Sequence, residues 1–455
     1  MNKSIFTSLI LSTSIAAVAQ TNPAISCWLK NTTGITGRHY VSGNSTPIVD
    51  GSLSANVQNI QYSANFVYVT TQGIPAYISG PFLDGNPSQA TNQNAIFKFP
   101  LVPVQNTGTL TNTTGGNIGV FINGVALFDY RDGVSWKSST SAMAGGPLGG
   151  MGDGVWNRDA IVAEKGGFDC SKGHPAMGNY HHHQNPSAFN LDLTVISTVC
   201  NLYTSDGLYA IDSTVHSPLI GYAYDGFPIY GAYAYKNADA TGGIVRMKSS
   251  YALRNITVRN TYSTGASVTA GPNVSATYPL GTFREDYQYN ATSTLTPDYL
   301  DEHNGRFCKT PEYPNGIYCY FATVDQHWNS YYPYVVGPTF YGTKVAVKVT
   351  SITETVTTYT GTAATGLTEE QKEHVNINVY PNPSSDFVAV QINNITRENV
   401  NVELYDVAGK LVQRTIIYQG STIAYFDTRT LYAGTYVVKL SAGNTAVHKK
   451  IVIEK

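Results

Sequence analysis

The sequence predicts a mainly β protein. It contains 33 tyrosines and 42 glycines in 455 residues, with few charged side chains, a composition that favours strands and turns. Asn123-Gly124 separates the apolar runs 119–122 and 125–128, which is the strongest short signal for a β-hairpin. Near the C-terminus, segments 387–392 and 400–405 alternate apolar and polar residues, as half-buried strands do.

Residues 1–19 predict a secretory signal peptide. Lys3 supplies the positive start, Ile5 to Ile15 form the apolar stretch, and Ala17-Val18-Ala19 fits the small-x-small cleavage rule. The mature chain is therefore expected to begin at Gln20. The apolar stretch is too short for a stable membrane anchor, and no later segment has the uncharged length of a transmembrane helix. We expect an exported protein without an integral membrane segment.

Composition and turn signals divide the rest of the chain. Residues 20–110 are expected to form an N-terminal β-rich segment, and residues 111–350 a second β-rich domain that holds most of the histidines. The Thr-rich and then Glu-, Gln- and Lys-rich stretch 351–374 is expected to be a linker. Residues 375–455 predict a separate immunoglobulin-like β-sandwich, since short alternating strands there are separated by turns.

One helix is predicted within the second domain. Thr296-Pro297-Asp298 offers a cap, a first-turn proline and a first-turn acid. Asn304-Gly305 supplies a stop signal. The pattern therefore predicts a short helix between these two points.

The charge balance argues against nucleic acid as a partner. The chain has 28 basic and 30 acidic residues, so no basic field exists to hold a phosphate backbone. The tyrosine content suits contact with a surface polysaccharide or another polymer, and it suits strand packing equally well.

Five cysteines stand in a chain that is expected to be exported, so disulfides are permitted. Cys308 and Cys319 flank a Pro/Gly turn and could close a short loop, and Cys170–Cys200 is a second plausible pair that leaves Cys27 free. The sequence does not fix this connectivity, and reduced thiols remain an alternative.

Three motifs mark the C-terminal segment: Val379-Tyr-Pro-Asn-Pro383, Leu404-Tyr-Asp406 with Gly409-Lys410, and Ala433-Gly-Thr-Tyr436. With them, this segment resembles the type IX secretion sorting domain of Bacteroidetes. The resemblance implies the type IX machinery as a partner and a secreted or outer-cell-surface location. The alternative is a plain carbohydrate-binding sandwich.

The central motif is Tyr180-His181-His182-His183, preceded by Gly173-His174-Pro175 and followed by His216 and by Asp225-Gly226. These segments, with the hairpin at 119–128, resemble the YHYH-domain family, which is named for a Tyr-His-Tyr-His motif. The third position departs from the family pattern, because His182 replaces a tyrosine. The family name implies a motif and no established reaction.

A weaker copy of the motif follows downstream. Segment 300–305 echoes 168–173, and segment 316–321 echoes 178–183. We expect an internal duplication that gives two related β units. The second copy has Cys319 and Phe321 where the first has histidines, so a metal site would be centred on the first copy.

The histidine pattern predicts a metal site. In a strand, His181 and His183 share one face and could bind one cation, and neutral imidazoles suit a transition metal such as copper or zinc. The further candidate ligands are His174, His216 and Asp225. Asp225 could bind the metal directly or orient a ligating imidazole. His303 and His327 of the second copy are more remote candidates. The alternative is a hydrogen-bonded β core in which each imidazole has its own partner.

Three functions are compatible with these patterns. The first is a secreted metal-binding module, favoured because no nucleophile or glutamate base stands near the histidine cluster in the sequence. The second is an extracellular hydrolase, lyase or metal-dependent oxidase acting on a polymer, with Tyr180 and His181 as candidate catalytic residues. The third is a surface adhesin or structural protein. The Gly-x-Ser-x-Gly, His-Glu-x-x-His and P-loop motifs are absent.

Overall fold

The computed structural model describes residues 22–83, 89–187, 198–202, 207–291, 295–345, 348–361, 377–392, 399–407, 410–442 and 445–455. The predicted signal peptide and most of the predicted linker lie outside these ranges. Strands account for 39% of the protein and helices for 5%, which confirms the mainly β class. No helix in the described ranges is long and apolar enough to cross a membrane.

The strands of the described ranges run, in chain order, as follows: β1 Thr36–His39, β2 Ile48–Ser54, β3 Val57–Tyr62, β4 Phe66–Thr71, β5 Ile78–Ser79, β6 Ala95–Pro100, β7 Asn117–Phe121, β8 Ala126–Phe128, β9 Arg131–Lys137, β10 Ala142–Gly145, β11 Asn157–Asp159, β12 Gly173–Ala176, β13 Asn179–His182, β14 Leu219–Ala223, β15 Pro228–Tyr230, β16 Tyr233–Tyr235, β17 Ile244–Arg246, β18 Tyr251–Leu253, β19 Tyr287–Tyr289, β20 Gly305–Cys308, β21 Ile317–Phe321, β22 Lys348–Val349, β23 Thr357–Thr358, β24 Ile377–Tyr380, β25 Phe387–Ile392, β26 Val400–Asp406, β27 Leu411–Ile417, β28 Ile423–Asp427, β29 Gly434–Ala442 and β30 Thr445–Ile453. The two α-helices are α1 Pro23–Ser26 and α2 Ala160–Glu164, and 3₁₀ turns cover Gly146–Leu148, Thr198–Asn201 and Arg284–Asp286.

An eight-stranded sheet at the centre has the order β12-β13-β8-β7-β14-β15-β21-β20. The hairpin β7–β8 turns at Asn123-Gly124 as predicted, with Gly124 at φ +82°. Strands β7 and β14 pair antiparallel in the middle, while β13 lies parallel to β8 and β21 lies parallel to β15. Each half of the sheet therefore consists of two hairpins that meet along a parallel strand pair. The first half is β7–β8 with β12–β13, and the second is β14–β15 with β20–β21.

The two halves also share a register. His182 lies opposite Leu127 in the first half, and Tyr320 lies opposite Ile229 in the second. In each half an aspartate, Asp169 or Asp301, accepts a hydrogen bond from the tyrosine that opens the motif. The motif copies thus occupy equivalent places, while their origin by duplication stays a prediction.

The N-terminal segment packs on the central sheet. Strands β22-β6-β4-β3-β23 form a five-stranded sheet whose buried face joins the same core as the central sheet. The Trp28 ring stacks on Phe99 at 5.6 Å and lies 5.6 Å from Tyr222 of β14. The main-chain N–H of Leu29 also donates to the Ile122 carbonyl at 2.9 Å. Residues 22–361, called the body below, therefore share one large core.

The C-terminal segment has its own core. A three-stranded sheet, β24-β25-β28, and a four-stranded sheet, β27-β26-β29-β30, enclose side chains such as Val388, Leu404 and Phe426. This is a β-sandwich, as predicted from the alternating strands. Its immunoglobulin-like topology stays a prediction.

The helix predicted after Thr296 is wrong. Residues 297–298 form a turn in which the Tyr299 N–H donates to the Thr296 carbonyl at 3.0 Å. Tyr299 then bridges to Lys248, and the Leu300 N–H donates to the Lys248 carbonyl. Pairing with a neighbouring segment takes the hydrogen bonds that a helix needs, so tertiary contacts override the cap signals.

One of the two plausible disulfides is present. Cys170 and Cys200 are bonded, with their Cα atoms 5.3 Å apart, whereas Cys27, Cys308 and Cys319 are free thiols. The loop that Cys308 and Cys319 could close is held by the β20–β21 pairing, where Cys308 lies opposite Ile317.

We predict that a Cys170→Ala/Cys200→Ala variant loses about 3–4 kcal/mol of unfolding free energy, since the bond spans a sequence separation of 30 residues. Urea denaturation of the oxidised protein measures this loss. The matched control is Cys27→Ala, which removes a free thiol and should cost much less. Equal losses in the two variants would contradict the assigned pairing.

Candidate metal centre

The hairpin β12–β13 brings three imidazoles together. His174 lies directly opposite His181 in the antiparallel register, so the two side chains share a face. His183 follows two residues after His181 and points to the same side. The ligand nitrogens of these three residues lie within 4.8 Å of one another. The structure therefore assembles three of the five residues predicted as metal ligands.

Each imidazole of this trio is buried. His174, His181 and His183 are 4%, 1% and 3% exposed. The Phe128 ring stacks on His181 with the ring centres 3.7 Å apart, and Phe168 meets His174 edge-on at 4.8 Å. These aromatic walls fix the ring orientations and keep bulk water from the imidazoles.

Backbone carbonyls determine which ring nitrogens carry protons. Nδ1 of His181 lies 2.8 Å from the Asn179 carbonyl oxygen, and Nδ1 of His183 lies 2.5 Å from that of Asp129. A carbonyl oxygen only accepts, so each Nδ1 is the protonated donor and each Nε2 presents a lone pair. The two Nε2 atoms face each other at 3.0 Å. Two lone pairs at this distance repel each other unless a cation lies between or beside them.

Glu164 completes the cluster, although nothing in the sequence pattern connects it to the histidines. Its Oε2 lies 3.4 Å from Nε2 of His174 and 3.5 Å from Nε2 of His183. The sequence led us to expect no glutamate near the cluster, but in the folded protein Glu164 lies beside it. Glu164 ends α2, a five-residue helix whose first N–H groups are capped by the Asp159 carboxylate. The cap is visible in the sequence, but the contact depends on how α2 packs.

The electrostatics favour neutral imidazoles beside an ionised carboxylate. Burial, reinforced by the neighbouring imidazoles, lowers the pKa of His181 well below its usual value, and burial also lowers the pKa of His183. Burial raises the pKa of Glu164, but the hydrogen bond with His174 and the nearby imidazoles of His183 and His174 outweigh this effect, so the pKa falls. The pKa shifts thus favour neutral imidazoles at His181 and His183 and an ionised carboxylate at Glu164.

His182 and Tyr180 point to the other face of β13. Nε2 of His182 lies 2.6 Å from the Tyr77 hydroxyl, and burial lowers the His182 pKa to about 3. The Tyr180 hydroxyl donates to Asp169 at 2.8 Å. Because adjacent strand residues alternate, the structure does not bring the Tyr180 hydroxyl to the His181 imidazole as an acid–base pair requires.

His216 and Asp225 lie apart from the trio, in the second half of the sheet. Nδ1 of His216 lies 2.8 Å from the Ser217 carbonyl oxygen, and its ring packs edge-on against Tyr230. The Asp225 carboxylate accepts from the Tyr320 hydroxyl at 2.6 Å and from the Gly342 N–H at 2.8 Å. Both side chains have hydrogen-bond partners there, and the structure does not bring them to the trio.

The more remote histidines also have local partners. Nδ1 of His303 lies 2.8 Å from the Thr339 hydroxyl, and Nε2 of His327 lies 3.1 Å from the Gln326 amide. The second half of the sheet instead places Arg306 opposite Cys319, at the position equivalent to His174 and His181. The Arg306 guanidinium donates to the carbonyls of Tyr235, Lys236 and Pro297.

A sequence model of the family described as YHYH protein matches residues 96–334, more than half of the chain. The chain belongs to the YHYH family. In this YHYH protein the departure at the third motif position, His182, faces away from the trio and leaves it intact. A search of curated proteins finds no match.

A second family model, for the secretion system C-terminal sorting domain, matches residues 378–454 of this YHYH protein. The sandwich is thus a sorting domain that engages the type IX machinery. The protein is exported by that system and is secreted or located at the cell surface. The signal peptide stays a prediction, since it lies outside the described residues.

We predict that His216 makes the stability of this YHYH protein sensitive to acid. Burial lowers its pKa to about 4, against about 6.5 in an unfolded chain, so only the unfolded chain takes up a proton between these values. The contribution of His216 to the unfolding free energy is therefore complete above pH 6.5 and is lost as the pH falls towards 4.

Urea denaturation at pH 7 and pH 4.5 measures this effect in the wild type and in His216→Gln. Between pH 7 and pH 4.5, the unfolding free energy of the wild type should fall by roughly 2 kcal/mol relative to that of His216→Gln. The comparison with the variant cancels the opposing titration of buried acids such as Asp225, whose pKa burial raises to about 6. An unchanged difference would contradict the assignment.

Proposed function

We propose that this exported YHYH protein binds one transition-metal ion, copper or zinc, through His174, His181, His183 and Glu164. The observation that carries the proposal is the pair of Nε2 atoms of His181 and His183, which face each other at 3.0 Å with both Nδ1 protons committed to carbonyls. A metal ion accepts both lone pairs at once and removes their repulsion.

The spacing of the donor atoms supports this proposal. Zinc binds imidazole nitrogen at ~2.0–2.1 Å, so adjacent ligands of a tetrahedral site lie about 3.3 Å apart. Three of the six separations among these donors are close to this value: 3.0 Å between Nε2 of His181 and His183, and 3.4 and 3.5 Å from Glu164 to the nitrogens of His174 and His183. The three histidine nitrogens all lie within 4.8 Å of one another, so binding an ion would draw the wider pairs together.

The surroundings of the donors support the proposal as well. Metal-ligating histidines usually donate their second ring N–H to a carbonyl or carboxylate, which orients the ring and makes the ligand more basic. His181 and His183 each have such a partner, in Asn179 and Asp129. One carboxylate with three neutral imidazoles leaves a dication with a single net positive charge, which lowers the cost of burying it.

A purely structural role, as in an adhesin, is less well supported. In a hydrogen-bonded core each buried imidazole nitrogen has a partner of opposite character. Here two acceptors face each other, and Glu164 adds a third acceptor. The cluster needs a cation, either a shared proton or a metal ion.

A metal-dependent enzyme is the second candidate. The Glu164 side chain is 18% exposed, more than any of the three histidines, so the carboxylate marks the side from which a small molecule reaches the cluster. Three protein nitrogens and one replaceable position are typical of catalytic metal sites. In that case the substrate would be an extracellular polymer. Glu164 would act as a general base, or it would be a metal ligand that the substrate or water displaces.

We predict that untagged, metal-stripped protein takes up about one equivalent of copper(II) or zinc(II). The substitutions His181→Ala and His183→Ala each remove a buried ligand and should weaken uptake at least ~100-fold, while Glu164→Gln should weaken it by roughly 10–100-fold. Isothermal titration and elemental analysis after dialysis measure these effects.

Two matched controls separate the cluster from general histidine binding. His182→Gln changes the adjacent motif residue on the other face, and His216→Gln changes a predicted ligand that lies apart. Both should bind metal like the wild type. Uptake below a tenth of an equivalent by correctly folded wild-type protein would contradict the proposal.

A further inference from the structure

The three-stranded sheet of the sorting domain has buried side chains on both faces. On β28, Ala424 and Phe426 point into the domain's own core. Ile423 points to the opposite face and belongs to a second buried cluster. Ala389 of β25 lies in that second cluster at 0% exposure. An isolated sandwich would expose this outer face, so another part of the chain covers it.

The covering surface belongs to the body. Ala210, 2% exposed, completes the second cluster with Ala389 and Ile423, and Trp328 packs at its edge. Tyr380 and Tyr425 flank Ala389 on the neighbouring strands and pack against the same cluster. The outer face of β24-β25-β28 is therefore an apolar contact surface with the body.

A turn of the sorting domain makes a second contact. Gly420 has φ +82°, and a Cβ at this position would lie 2.8 Å from Cδ1 of Ile35 and 3.3 Å from Cβ of Ala76. Only glycine allows both this backbone conformation and this close approach. The Arg38 guanidinium stacks 4.9 Å from the centre of the Tyr418 ring and donates to the Ala76 carbonyl at 2.7 Å.

Little space remains between the two parts. The cavity where the turn 420–422 meets Leu29, Asn56 and Tyr77 measures about 20 Å³, room for roughly one water molecule. Apolar contact, a stacked cation and close packing are the features of a specific interface rather than of two domains joined only by a tether.

We infer that the sorting domain docks on the body through this surface and remains bound after the chain is cut within residues 362–376, which lie between the two parts. Ala210, Ile35, Ala76 and Arg38 form the docking site, and the turn 418–422 with the outer face of β24-β25-β28 is its ligand. Cleavage of the chain between the two parts would then be separate from release, and release would expose an apolar patch on the body.

The experiment places a specific protease site in the linker of the full-length chain, where cleavage leaves both folded parts in place. After cleavage, size-exclusion chromatography with light scattering at micromolar concentration measures the particle mass. We expect a single particle with the mass of the uncut chain. Two separate particles from the cut wild type would overturn the inference.

Two substitutions make the outcome specific to the surface. Ala389→Arg places a charge in the docking face without touching the sandwich core, and the cut chain should then separate into two particles. Asn401→Arg adds the same charge on the exposed side of β26 and should leave the pair bound. If Ala389→Arg misfolds, judged by circular dichroism, Arg38→Ala in the body replaces it. If the folded docking-face variant, Ala389→Arg or its replacement Arg38→Ala, stays in one particle after cleavage, the inference is equally overturned.

Discussion

The carboxylate of Asp169 is the constraint on which the geometry of the histidine trio depends. It accepts hydrogen bonds from the main-chain N–H groups of Ser171, Gly173 and Gly80 and from the Tyr180 hydroxyl. These bonds close the loop before β12 and tie it to β13, so they set the register in which His174 faces His181. Asp301 holds the second hairpin in the same way, although no metal ligands follow there.

The two halves of the sheet differ at the position of His174. In the first half, three imidazoles and Glu164 leave a gap between lone pairs. In the second half, the Arg306 guanidinium stands at the equivalent of His174 and is held by backbone carbonyls. The cation of the second half is thus the arginine side chain itself. In the first half, we propose that a bound metal ion takes this role. The same β scaffold can support either solution because only the residues on one face differ.

The sequence predicted the hairpin at Asn123-Gly124, the sandwich and the shared face of His181 and His183, because these follow from local periodicity and turn chemistry. It could not predict Glu164, whose contact depends on the packing of a five-residue helix. It could not predict that His216 and Asp225 lie apart from the trio, since chain proximity does not reveal which half of a sheet a strand joins. The docking of the sorting domain likewise depends on a surface, not on a motif.

The central claim is that the trio and Glu164 bind a metal ion rather than share a proton. The most direct measurement is anomalous diffraction at the copper and zinc absorption edges from crystals of protein purified without a histidine tag. The account predicts one anomalous peak ~2.0–2.2 Å from Nε2 of both His181 and His183. No peak at this position in crystals soaked with either metal, with the two Nε2 atoms still about 3.0 Å apart, would contradict it.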